Sequence, residues 1–111
     1  MATISSHLLN SVDGTHANGV KVTIYQINSS GEKKIFFETE TDKEGRILKD
    51  FELSNKDCAC EYEMVCKTAD YFSEKKVVSE IIVKFKMEDP KKKYHLPIII
   101  SPNGYSIWWS K

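Results

Sequence analysis

Tyr94-His95-Leu96-Pro97-Ile98-Ile99-Ile100-Ser101-Pro102-Asn103-Gly104-Tyr105-Ser106 decides how the rest of the chain is read. An apolar run with a histidine near its start meets Pro-Asn-Gly, and a second run begins with Tyr105. Asn-Gly between two apolar runs predicts a β-hairpin, because the tightest favoured turn needs positive φ at both central residues. Pro97 lies inside the first run. Proline cannot donate to a ladder, so that strand is at an edge, bulged, or unpaired at that amide. The aromatic tail to Trp109 is costly to leave bare, which points to self-association.

Working back towards the N-terminus, short alternating runs separated by turns predict an all-β sandwich. Strands are expected over residues 3–9, 20–27, 33–41, 47–53, 61–68 and 81–86, before the final hairpin. In the second of these, Val20, Val22 and Ile24 face one way and Lys21, Thr23 and Tyr25 the other. In the third, Ile35 and Phe37 fall on one face and Phe36 and Glu38 on the other. Asp42-Lys43-Glu44-Gly45 is a turn leading directly into Arg46, and 54–59 is a polar connection. The best helix candidate runs from Ser73 to about Ser79, with Ser73 as cap and Glu74 in the first turn. About eight strands and one short helix result.

The chain has 111 residues, which predicts a single domain over 1–111 with a real core. Its formal net charge is zero, so no global field argues for nucleic acid or a membrane surface. Lys91-Lys92-Lys93 beside Glu88-Asp89-Pro90 reads as a solvated loop. No apolar run approaches the ~18 residues that span a bilayer. No secretory pattern opens the chain, so the cytoplasm is the expected location. Cys58, Cys60 and Cys66 match no usual zinc spacing and read as free thiols, with Cys66 in the core beside Tyr62 and Met64. No metal is expected.

His7 and His95 lie in strands, opposite the more apolar alternation, on outward or interface faces. His16 lies in a polar loop and reads as solvated. There is no nucleophile elbow and no phosphate-binding glycine loop. The residues alone thus give a β-sandwich with two strand histidines of open role.

The chain also resembles the 5-hydroxyisourate hydrolase/transthyretin family, along nearly its whole length. Ser6-His7-Leu8-Leu9-Asn10 is similar to the family's Thr-His-Val-Leu-Asp. Gly19-Val20-Lys21-Val22 resembles, more loosely, its Pro-Ala-x-x-Val strand. Thr41-Asp42-Lys43-Glu44-Gly45-Arg46 resembles its Thr-x-x-Asp-Gly-Arg turn. Asp70-Tyr71-Phe72 resembles the Tyr-Phe before its short helix; Phe85-x-x-x-Asp89-Pro90 and Tyr94-His95-x-Pro97 follow in order.

The resemblance implies a transthyretin-like (prealbumin-like) two-sheet sandwich and a homotetramer, a dimer of dimers with sites in the channel between dimers. It implies hydrolytic opening of 5-hydroxyisourate to 2-oxo-4-hydroxy-4-carboxy-5-ureidoimidazoline, without a cofactor. The family's catalytic trio falls on His7, Arg46 and His95. Transthyretin has lysine at the position of His7, so histidine there argues for the hydrolase branch. Either histidine could activate water, and Arg46 would hold the anionic substrate. Ser106, Trp108 and Trp109 fall where the family's tail lines the site. The hydrolases usually end Tyr-Arg-Gly-Ser, whereas here the residues are Trp108-Trp109-Ser110-Lys111. A non-catalytic small-ligand carrier on the same fold is therefore the alternative.

Overall fold

The computed structural model describes residues 1–73 and 77–109. The elements are β1 (Ala2–Asn10), β2 (Lys21–Ile27), β3 (Lys33–Glu40), β4 (Arg46–Phe51), α1 (Asn55–Cys58), β5 (Glu61–Cys66), β6 (Ile81–Lys86), β7 (Lys93–Ser101) and β8 (Gly104–Ile107), with a 3-10 turn at Thr68–Asp70. One sheet has the order β4-β1-β7-β8 and the other β3-β2-β5-β6. The pair β1/β7 is parallel and the other pairs are antiparallel. This is the expected mostly-β sandwich of eight strands in two sheets.

Period-two alternation builds the core. Ala2, Ile4 and Leu8 of β1 and Ile98 and Ile100 of β7 face inward, against Val22, Ile24, Tyr62, Met64 and Cys66 of the other sheet. All are essentially inaccessible. Burying each large aliphatic side chain contributes about 1.5–3 kcal/mol. Burial pushes the Cys66 thiol up to about 12, so it stays protonated as a small apolar core group.

Three local expectations are corrected, and one set of alternatives is resolved. The helix lies at Asn55–Cys58, in the stretch read as a polar connection. Ser54 caps it: its hydroxyl accepts from the Asp57 amide while the Asp57 carboxylate accepts from the Ser54 amide. Of the expected Ser73–Ser79 helix, 74–76 lie outside the described residues; Ser73 and 77–79 are not helical. Secondly, the β7/β8 loop is Pro102-Asn103, between the paired residues Ser101 and Gly104. Neither Asn103 nor Gly104 has positive φ. Pro102, locked near −65° (a general property of proline), favours an unprimed turn over the one predicted from Asn-Gly.

Thirdly, β2 and β3 shift register between Ile24 and Tyr25: Ile24 pairs with Phe37 and Tyr25 with Ile35. The extra residue is Phe36, so Phe36 and Phe37 do not alternate. Both rings pack on Phe51, at 4.9 and 5.4 Å, while Ile35 is exposed. Fourthly, β7 is an interior strand. Lys92 and Ile100 accept backbone bonds from Thr3 and Ser11 on the β1 side. Pro97, of opposite parity, turns its nitrogen towards β8, whose pairing stops at Ile98–Ile107. The third alternative, an amide position without a ladder partner, is the one realised.

The described residues contain no helix long and apolar enough to cross a membrane.

Candidate active site

Register and alternation gather the candidate residues on the outer face of the β4-β1-β7-β8 sheet. The residues of β1 not facing the core are Thr3, Ser5, His7 and Leu9. Across β4, His7 pairs with Arg46 and Ser5 with Leu48; across β7, Ser5 pairs with His95 and Leu9 with Ile99. Ile99 in turn pairs with Ser106 of β8. His7, Arg46, His95 and Ser106 therefore share one face, together with Ser5, Leu9, Leu48 and Ile99. That face is open: Arg46 is exposed, and Leu48 keeps 69% of its surface accessible.

Arg46 is placed by the turn before it. The Asp42 carboxylate accepts from the amides of Glu44 and Arg46, both at 2.9 Å. Gly45 has φ +71, and a Cβ there would fall against the Leu8 carbonyl oxygen and the Ala17 amide. Only glycine fits so close an approach. The Leu8 amide donates to the Gly45 carbonyl at 2.8 Å, tying the turn to β1 one residue after His7. The backbone amide of Arg46 first, then that of Glu44 and the charges of Arg46 and His7, hold the Asp42 carboxyl below its ordinary value despite opposing desolvation.

His95 is held from one side only. Its Nδ1 lies 2.7 Å from Ser5 Oγ, and Ser5 is almost inaccessible. Among the described residues nothing takes its Nε2. Burial first, then the charges of Lys93, Arg46 and His7, push its pKa below the ordinary 6.5. The ring is thus neutral at neutral pH and available to accept a proton.

His7 is held through Nε2. Its Nε2 lies 2.9 Å from His16 Nδ1. Burial first, then Arg46 and His16, lower its pKa; the Glu44 carbonyl and Asp42 oppose that.

The expected trio is thus assembled on one face, with Ser106 beside it. The tail is different. Trp109 packs its ring on Tyr94 at 5.9 Å, under the Lys92 ammonium at 5.3 Å. Tyr94 belongs to the core side of β7, so Trp109 lies off the histidine face. Trp108 follows Ser106 by two residues and is half exposed; Ser110 and Lys111 lie outside the described residues.

Two neighbours were missed in the sequence. Ser5 is two residues before His7, so the alternation placed it on the right face, but nothing in its own strand showed that His95 lies alongside. His16 read as a solvated loop residue. The loop instead folds back on β1: the Asn10 amide donates to Thr15, the Ala17 amide to Leu8, and Leu9 bridges His16. Asp13-Gly14 was the available signal, since a tight turn there sets His16 opposite Leu9.

A cavity of about 630 Å3 at α1, lined by residues including Gln26, Lys33, Asp57 and Cys60, contains none of these histidines. The open sheet face, and not that cavity, carries the chemistry-bearing cluster.

Residues 4–109 match the family described as HIUase/Transthyretin family. The 5-hydroxyisourate hydrolase of Halalkalibacterium halodurans is 30% identical over 112 residues, spanning 95% of this chain and 94% of that protein. The Klebsiella pneumoniae 5-hydroxyisourate hydrolase structure superposes with a TM-score of 0.78 at 24% identity, covering 100% of both chains. Transthyretin from Sparus aurata gives a TM-score of 0.83 at 20% identity, covering 96% of this chain and 95% of that one. These two structural likenesses speak to the fold.

Proposed function

The chain belongs to the HIUase/transthyretin family, and from that membership and the histidine face we infer that it is a 5-hydroxyisourate hydrolase acting in urate degradation. One observation carries the site assignment: His95, His7 and Arg46 converge on one sheet face, with His95 Nδ1 anchored by Ser5 and Nε2 open.

That geometry supports the following roles. In the tautomer that donates Nδ1–H to Ser5 Oγ, His95 Nε2 carries the lone pair and acts as general base. It takes a proton from water as the water oxygen bonds to the ring carbonyl carbon. Arg46 holds the anionic heterocycle and offsets the negative charge developing on the carbonyl oxygen. As the tetrahedral adduct collapses, the C–N bond breaks and the ring nitrogen receives the proton from His95. No net proton is consumed. His7, hydrogen-bonded through Nε2 to His16, stands beside Arg46 and orients the water or the substrate. Ser106 and Trp108 border the substrate.

An open face is a poor site for a reaction needing exclusion of water. Leu48 with the half-buried Leu9 and Ile99 gives it an apolar margin suited to a second copy. We place the site between dimers of a homotetramer, in the cytoplasm, with no cofactor assigned. The carrier alternative rested on the substituted tail. Packing of Trp109 on Tyr94 keeps that side chain off the histidine face and removes one of its supports.

The test is decay of freshly generated 5-hydroxyisourate, followed by ultraviolet absorbance, alongside sedimentation of the same sample. Acceleration by a tetramer is expected. A correctly assembled tetramer that leaves spontaneous decay unchanged would overturn the hydrolase reading.

A further inference from the structure

His16 is the histidine to which the functional reading gives no chemical role. Its Nδ1 meets His7 Nε2 at 2.9 Å, and the ring centres are 5.0 Å apart with 27° between the planes. The centre separation is close to the N···N distance plus the two ring radii. The imidazoles are therefore nearly end to end, as a direct hydrogen bond requires, and not face to face.

The Glu44 carbonyl favours a proton on His7. With that proton on Nδ1, neutral His7 accepts at Nε2 and His16 is the Nδ1–H form. His16 is exposed, which leaves its Nε2 to solvent. A proton taken up at His16 Nε2 moves the bridging proton onto His7 Nε2. The result is a cationic His7 donating from both nitrogens and a neutral His16 with the opposite tautomer. Reversing the sequence discharges His7. One proton enters or leaves, one shifts between rings, and neither ring turns.

We propose that His16 is a positioning residue and proton relay, setting the protonation state of His7 by exchange with solvent. The inference rests on the hydrolase reading for its catalytic meaning, but its geometry stands without it. The charged and titratable groups facing His7 are Arg46 of β4, Asp42 of the turn, His16 of the loop and, across the sheet, His95 of β7. His16 is the one that joins it by a side-chain hydrogen bond among the described residues.

The test compares wild type, His16→Asn and His16→Ala. The asparagine retains a hydrogen-bonding group near the Nδ1 position but cannot relay a proton. Imidazole 15N resonances of the intact protein are followed through a pH titration, and kcat is measured across the same pH range. In wild type near neutral pH, His16 is expected as the Nδ1–H tautomer. In both variants the His7 midpoint is expected to move upward, because a group that lowers it is gone. The acid fall of kcat is expected to move upward with it. An Nε2–H tautomer of His16 in wild type, an unmoved His7 midpoint, or an unmoved kcat profile in His16→Asn would each overturn the proposal. Failure of the hydrolase reading shows separately, as no acceleration by wild type; the tautomer and the titration still decide the His7–His16 relationship.

Discussion

Ser5 Oγ lies 2.7 Å from His95 Nδ1, across the parallel pair of β1 and β7 and from residues 90 positions apart in sequence. The bond ties the ring of one strand to the register of its neighbour and leaves Nε2 as the outward nitrogen. It is the local reason that an open sheet face can present an oriented base.

Ser5→Ala removes that anchor and leaves the β1/β7 ladder intact. Loss of one such hydrogen bond costs about 0.5–1.5 kcal/mol. A fall of about two- to tenfold in kcat follows if the loss is felt in the transition state. Ser5→Thr, which keeps the hydroxyl, is expected to recover most of it. Steady-state kinetics of the two variants check this.

Arg46→Lys keeps the charge and loses the planar donor fork. The side chain is exposed, so thermal stability is expected to stay near wild type while KM rises. Calorimetry beside kinetics separates the two. Unchanged kinetics in Arg46→Ala would remove the arginine from the substrate site.

Gly45→Ala is expected to be the most damaging single-methyl change at the site. A left-handed backbone costs a non-glycine residue about 1–2 kcal/mol, before the Cβ meets the Leu8 carbonyl. Chemical denaturation should show at least that loss. Because the turn also carries Arg46, the surviving folded fraction is expected to bind substrate more weakly.

Acid should reduce both activity and stability. His95 has a folded pKa below 6.5, so kcat/KM holds through neutrality and falls only as pH drops through that lowered value. His7 and His95 bind fewer protons folded than unfolded. Their contribution to stability is full above pH 6.5 and lost as pH falls through the folded values. Asp42 and Asp57, both depressed below 3.8, act in the same direction further into acid. A pH–rate profile and denaturation midpoints across the same range test both parts.

How much of this was legible in the sequence depends on whether a feature is periodic. The faces of β1 and β7 were legible because side chains alternate strictly, which put His7 and His95 outward before their pairing was known. The β3 face was misread at Phe36 because a bulge inserts one residue and alternation carries no mark of it. The turn after Ser101 was misread because Pro102 takes a loop position that Asn-Gly seemed to claim. His16 was hidden for a different reason: its role comes from a loop pairing back on β1, and only its distance to His7 reveals it. The helix at Asn55–Cys58 was legible in principle, since Ser54 and Asp57 have capping-box spacing, but four residues leave no hydrophobic period to read.

The central claim is that His95 takes the proton from the attacking water. Initial rates of 5-hydroxyisourate disappearance should be compared for wild type and His95→Asn, each verified as the same assembled species. The amide of asparagine retains hydrogen-bonding capacity and cannot act as a base at neutral pH. General-base catalysis is worth about 10²–10⁴-fold, so the variant should fall by at least about a hundredfold towards spontaneous decay. His95→Asn turning over as fast as wild type would contradict the account.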